Sequence, residues 1–217
     1  MSNRTRPMQT AEAVRYVRIL AEAPEREAAY AAMAALAIGT GARIGEVLAM
    51  RTMDVLEPDG RIREQVRRKL LKKRNVTIYR EAHFTDPVLR EIVRRYADSP
   101  RRPSLYLGGS APFFAVGISG RALHYKTAWH HNRHFLQLAG LPLRGIGFHG
   151  LRKTFLSKVY SRVYRGSGDM MQALTFAQKL AGHNSINTTI RYLDISPVDE
   201  EDTVREVMSE ITGGEES

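Results

Sequence analysis

Apolar residues recur at helical spacing along most of the 217-residue chain, and alternate at strand spacing in one short region. Thr10 can cap a first helix with Glu12 in its first turn, and Val14, Val17 and Leu20 or Ala21 form the inward stripe. The alanine-rich run from Glu25 to Ile38 predicts a second, largely buried helix, broken by Gly39-Thr40-Gly41. Ile44, Val47 and Leu48 place a third helix over Ala42 to Met50. Glu57-Pro58-Asp59-Gly60 is a turn, and Ile62 to Arg68 and Asn75 to Arg80 read as a hairpin with a basic tip from Lys69 to Arg74.

Thr85-Asp86-Pro87 opens another helix that runs to about Ala97. Ser99 to Pro103 is a basic loop, Leu105 to Leu107 a short extended piece, and Phe113 to Gly120 irregular. Helices follow over Leu123 to Ala139 with Gly140 as C-cap, His149 to Tyr164, and Asp169 to Ala181. Ser185 caps a short helix carrying Tyr192, and Pro197 starts a last one whose stripe is Val198, Val204, Val207, Met208 and Ile211. The expected fold class is α+β, mostly α-helical, with a small antiparallel sheet. One domain spans residues 1–193, and an acidic tail spans 194–217.

Composition sharpens this in two ways. Cysteine is absent, which removes disulfides, thiolate metal ligands and thiol nucleophiles and fits a reducing cytoplasm. The longest apolar run, Ala28 to Ile38, falls short of the roughly 20 residues that a bilayer span needs, and Met1 to Pro7 leads into a polar helix rather than a signal sequence. A cytoplasmic protein with no membrane partner is expected. The formal net charge is +10, from 33 Lys and Arg against 23 Asp and Glu. Residues 194–217 hold nine of the acids and only Arg205 among the bases, which leaves 32 basic and 14 acidic residues, or +18, before them. A body so basic suits a polyanion held through its phosphates.

Four pieces carry chemistry. Thr40-Gly41-Ala42-Arg43-Ile44-Gly45-Glu46 sets Arg43 and Glu46 three apart on one helix face. Lys69 begins the hairpin tip, and His149-Gly150-Leu151-Arg152 again sets two polar groups three apart. Leu180-Ala181-Gly182-His183 precedes Tyr192 by nine residues, with Thr188-Thr189 between. Any one of these occurs by chance, but their order together resembles the tyrosine recombinases, also called the phage integrase family.

That resemblance covers about Thr10 to Tyr192. It implies site-specific recombination of DNA, of the kind mobile elements use for integration, excision, inversion or resolution, with Tyr192 as nucleophile and a 3′-phosphotyrosine intermediate. Arg43 and Arg152 would hold the non-bridging oxygens bidentately, and His183 would donate to one of them. His149 would serve as general base and Lys69 as general acid, with Lys72 the alternative. Glu46 would fix and orient Arg43 or a neighbouring base from behind. Lys72, Lys73, Arg74, Lys126, Arg133 and Lys153 are the expected DNA-facing cations. No metal or cofactor is expected, because the arginines supply the charge a cation would. His124, His130, His131 and His134 read as part of a DNA-facing polar helix whose core side is Trp129, Phe135 and Leu138 or Leu136, rather than as a zinc site.

Double-stranded DNA and further copies of the chain, as dimer to tetramer, are the partners implied, with the tail docking on a neighbouring subunit or in cis. Three departures from the family stand out. Only 42 residues precede Arg43, too few for the helical core-binding domain that most members carry upstream, so a single-domain member or a catalytic fragment is expected. Tyr164 to Asp169 looks like an inserted loop, and Lys153 stands where many members have histidine. A type IB topoisomerase and a non-catalytic DNA-binding regulator are the alternative functions.

Overall fold

A computed structural model of the protein describes residues 5–70, 78–103, 108–117 and 120–193. Its helices are α1 (Thr10–Ala21), α2 (Ala28–Thr40), α3 (Ile44–Leu48), α4 (Thr52–Val55), α5 (Pro87–Ala97), α6 (Tyr125–Leu138), α7 (Phe148–Ser167), α8 (Met170–Ala181) and α9 (Ile186–Leu193). Strands β1 (Gln65–Leu70) and β2 (Ile78–His83) form one antiparallel ribbon, and the two-residue strands β3 (Ala115–Val116) and β4 (Arg121–Ala122) another. The fold is α+β and mostly helical. Among the described residues no helix is long and apolar enough to cross a membrane.

Helix α2 is the centre of the fold. All of its alanines but Ala29 are buried, and their small side chains let α1, α5, α6 and α7 close in around it. A second, smaller core joins α7, α8 and α9 through Leu156, Tyr160, Ala173, Leu174, Ala177, Ala181 and Leu193. The segment before α1 is tied to the first turns of α7. Arg6 donates its N–H to the Gly145 carbonyl at 2.7 Å, and Met8 donates to Thr154 Oγ1 at 2.8 Å. A Cβ on Gly150 would lie 3.0 Å from the Arg6 carbonyl oxygen, so only glycine lets the segment pass this close.

Several boundaries differ from the sequence reading, each for a tertiary reason. Helix α2 runs through Gly39 to Thr40, because Phe84 and Leu89 lie where a Cβ on Gly39 would sit, at 2.6 and 2.9 Å. That glycine serves close packing, and the break falls at Gly41, with φ at +64°. The residues read as an inserted loop continue α7 as helix to Ser167, where Gly168 ends it in the left-handed region. Tyr16, not Val14, joins Leu20 inside α1, because its hydroxyl reaches Asn132 Oδ1 at 2.5 Å. On α6 the buried residues are Ala128, Asn132, Phe135 and Leu136; Leu138 is exposed and Trp129 half-buried beneath Arg133. The expected extended piece at 105–107, the hairpin tip beyond Leu70 and the helix at Pro197 lie outside the described residues.

Candidate active site

Six elements, α3, β1, β2, α7, α8 and α9, meet at the site. Arg43 is the N-cap of α3, placed there by the left-handed turn at Gly41. His149 is the second residue of α7 and Arg152 lies one turn on, at the positive end of the helix. Gly182, with φ at +68°, caps α8 and turns the chain so that His183 and then α9 fold back over α7. Together they surround a cavity of about 290 Å³ lined by Arg43, Leu70, Arg80, His149, Gly182, His183, Asn184, Thr188 and Tyr192.

Tyr192 is half-buried, and its hydroxyl lies 3.0 Å from His149 Nδ1. With the His149 proton on Nε2, the phenol donates to Nδ1. The tyrosine ring is edge-on to both His149 and His183, with centroids 4.7 and 5.1 Å away. The Arg152 guanidinium carbon is 5.6 Å, and Lys153 Nζ 5.7 Å, from the ring centroid. Burial pushes the Tyr192 phenol above its ordinary pKa, while Arg152 and Arg43 pull it back.

Arg152 is 1% exposed. Nη1 donates to the Gly41 carbonyl and Nη2 to the Ala181 carbonyl, both at 2.6 Å, so the arginine joins the end of α2 to the end of α8. Nη2 also points at His183 Nε2, 3.4 Å away, and Nε is buried without a partner among the described residues. Burial first, and the charge of Arg43 second, bring its pKa down to about 10, still high enough to keep it charged at neutral pH. His183 Nδ1 sits 3.0 Å from the hydroxyl of the fully buried Thr189.

Glu46 is fully buried and serves two arginines. Its Oε2 accepts from the Arg43 backbone N–H at 3.0 Å and lies 3.4 Å from Arg68 Nη1, and its Oε1 accepts from Arg43 Nη1 at 2.8 Å. Neither Arg68 nor Arg80 was singled out by sequence. Arg68 carried a readable signal, a charge in phase with Val66 and Leu70 on the inward face of β1, whereas Arg80 is one of 33 Lys and Arg with nothing to mark it.

The remaining expected residues fall elsewhere. Lys69 is on the opposite face of β1 from Arg68, across from Tyr79, and does not line the cavity. Lys72, Lys73 and Arg74 lie outside the described residues. Lys153 is the exception: it is buried, at 7% exposure, with Nζ beside the Tyr192 ring rather than presented on the surface. Lys126 is exposed and Arg133 lies over the Trp129 ring at 4.7 Å; neither lines the cavity. His124 caps α6 by accepting from the Lys126 N–H, and His131 stacks on Tyr30 with ring centroids 3.5 Å apart. Among the described residues no three His, Cys, Asp or Glu side chains gather as metal ligands.

Fold and site define an α+β domain in which Tyr192, His149, His183, Arg43 and Arg80 line one cavity, with the buried Arg152 behind it. The sequence signature of the phage integrase family matches residues 9–198. The chain belongs to that family. It is 32% identical over 164 residues to tyrosine recombinase XerC of Rhodospirillum centenum (strain ATCC 51521 / SW), a match covering 76% of this chain and 42% of that protein. The fold is shared with XerA recombinase (TM-score 0.64, 18% identity, 99% of this chain and 67% of that one). It is shared too with XerH site-specific recombinase in a post-cleavage complex with palindromic difH (TM-score 0.64, 18% identity, 94% and 52%). A lambda integrase dimer bound to a COC′ core site matches with TM-score 0.57 and 21% identity, over 88% and 48%.

Proposed function

We propose that this chain cleaves and rejoins double-stranded DNA as a tyrosine-type site-specific recombinase, through a 3′-phosphotyrosine intermediate. The observation that carries the reading is the Tyr192 hydroxyl at 3.0 Å from a histidine acceptor, in a cavity also lined by Arg43 and His183. A raised phenol pKa keeps Tyr192 neutral at pH 7, so its attack needs a base, and His149 Nδ1 takes the proton. The Tyr192 oxygen bonds to phosphorus as the bond to the 5′ oxygen breaks. A lysine, either Lys69 after it turns from the opposite face of β1 or Lys72, returns a proton to that leaving oxygen. Negative charge on the non-bridging oxygens is met by Arg43, held by Glu46, and by Arg152.

For Arg152 to reach the phosphate, an Nη group must leave its carbonyl or Nε must turn toward the cavity. One phosphodiester replaces another, so religation needs no nucleotide cofactor. Several copies of the chain, two to four, would act together on the DNA. The solved complexes of XerH with difH and of a lambda integrase dimer with core-site DNA support this choice of partner.

The test is to incubate the protein with fragmented genomic DNA of its host and recover DNA that stays attached under denaturing conditions. Wild type is expected to yield an adduct whose nucleotide-modified peptide contains Tyr192, and Tyr192→Phe none. An adduct that survives in Tyr192→Phe would sink the assignment. Supercoil relaxation without exchange between two sites would instead favour a topoisomerase, and site binding with no adduct a regulator.

A further inference from the structure

The register of the β1–β2 ribbon sets Arg68 directly across from Arg80 on its inward face. Two like charges opposite each other weaken a strand pair unless something compensates them. What lies against them is the C-terminal end of α8, where unpaired carbonyls concentrate negative charge. Arg80 Nη1 donates to the Lys179 carbonyl at 2.5 Å, and Arg68 Nη2 donates to the Leu180 carbonyl. Arg152 Nη2 takes the next one, Ala181. Three successive carbonyls are thus each capped by a guanidinium from a different element. Immediately beyond them, Gly182 and His183 donate their N–H groups to the Gln178 carbonyl at 2.9 and 3.2 Å.

Arg68 does more than cap. It is 2% exposed, and its other Nη faces Glu46, which in turn holds Arg43. One planar fork therefore reaches two partners, the carboxylate behind Arg43 and the helix end that carries His183. A lysine ammonium is a single point and cannot span both.

We propose that Arg68 is a positioning residue: its fork sets the distance between Arg43, through Glu46, and His183, through the end of α8, and fixes the β1–β2 ribbon to both. The first arm of its test needs no DNA, and only the second rests on the recombinase reading. In the free protein, hydrogen exchange at the Gly182 and His183 amides is compared among wild type, Arg68→Met and Arg68→Lys, with α2 amides as the control. Both variants are expected to exchange at least about tenfold faster at these two amides, with α2 unchanged. Arg68→Lys retains the charge and serves if Arg68→Met fails to fold.

In the second arm, adduct formation on the recovered DNA is expected to slow by about 100-fold in both variants, with DNA affinity within about threefold of wild type. Exchange within twofold of wild type in a folded variant would overturn the proposal. So would full recovery of both readouts by Arg68→Lys, which would show that charge alone suffices. If wild type forms no adduct, the recombinase reading fails while the exchange arm still decides the role of Arg68.

Discussion

Arginine has no lone pair to offer, so where Arg152 Nη2 faces His183 Nε2 the imidazole nitrogen must be the acceptor. The His183 proton then sits on Nδ1 and is donated to Thr189 Oγ1 at 3.0 Å. This is the opposite tautomer from the one a phosphate oxygen would need from Nε2. Protonation of His183, or departure of Arg152 toward the phosphate, would convert the resting arrangement into a donating one. In the DNA-free protein at neutral pH, nitrogen NMR of His183 is expected to show a bare Nε2 and a protonated Nδ1. Thr189→Val removes the acceptor and is expected to shift that balance toward the other tautomer. A protonated Nε2 in wild type would mean that Arg152 does not set the ring. The residue types at this site were legible in sequence because they recur in a fixed order: arginines with planar donor forks, imidazoles and a tyrosine. Arg80 was not, because its partner is a carbonyl at the far end of α8, and the buried phase of Arg68 on β1 showed that it faces inward without showing what it meets.

Glycines at the helix ends carry much of the geometry, and two of them separate strain from packing. Gly168 ends α7 at a φ of +67° with open space where a Cβ would stand. Gly41 ends α2 at +64°, but a Cβ there would lie 2.5 Å from Phe155 Cδ1. Gly168→Ala is expected to cost about 1 kcal/mol, the strain of a left-handed alanine. Gly41→Ala adds an overpacking penalty of about 1–3 kcal/mol. It also displaces the carbonyl that holds Arg152 Nη1. Urea denaturation of the two variants checks the difference, and equal losses would mean that Phe155 yields without cost. The same contrast explains what the helical periodicity hid. Helix α5 was legible almost to the residue, because Asp86 caps it by accepting from the Leu89 N–H and Pro87 starts it. Gly166 and Ser167 suggested a loop by propensity, yet α7 continues through them. Ser167 Oγ donates to the Val163 carbonyl, and α7 lies along α8. Gly39 suggested a helix end, and only the position of Phe84 shows otherwise. Local signals held where the chain itself supplied the partner, and failed where a neighbour did.

Charge acts over the whole molecule. Residues 1–193 carry +18 and residues 194–217 bring the chain to +10. A body that meets even five duplex phosphates would bind DNA with a log–log salt slope of about −4.5, a loss of roughly 500-fold between 50 and 200 mM salt. The acidic residues near position 200 follow that basic body directly in sequence, and their charge opposes a polyanion. Neutralising four of them together, Asp199→Asn, Glu200→Gln, Glu201→Gln and Asp202→Asn, takes the formal charge from +10 to +14 without shortening the protein. Fluorescence anisotropy with a duplex of arbitrary sequence is expected to show about tenfold tighter binding at low salt, with the gain fading as salt rises. In the proposed mechanism cleavage depends on Tyr192 and the groups around it, so the adduct rate at saturating DNA is expected to change little. Unchanged affinity at low salt would mean that these acids do not face the DNA surface. A large change in the saturated adduct rate would instead tie the tail to the placement of Tyr192, the residue it follows most closely in the chain.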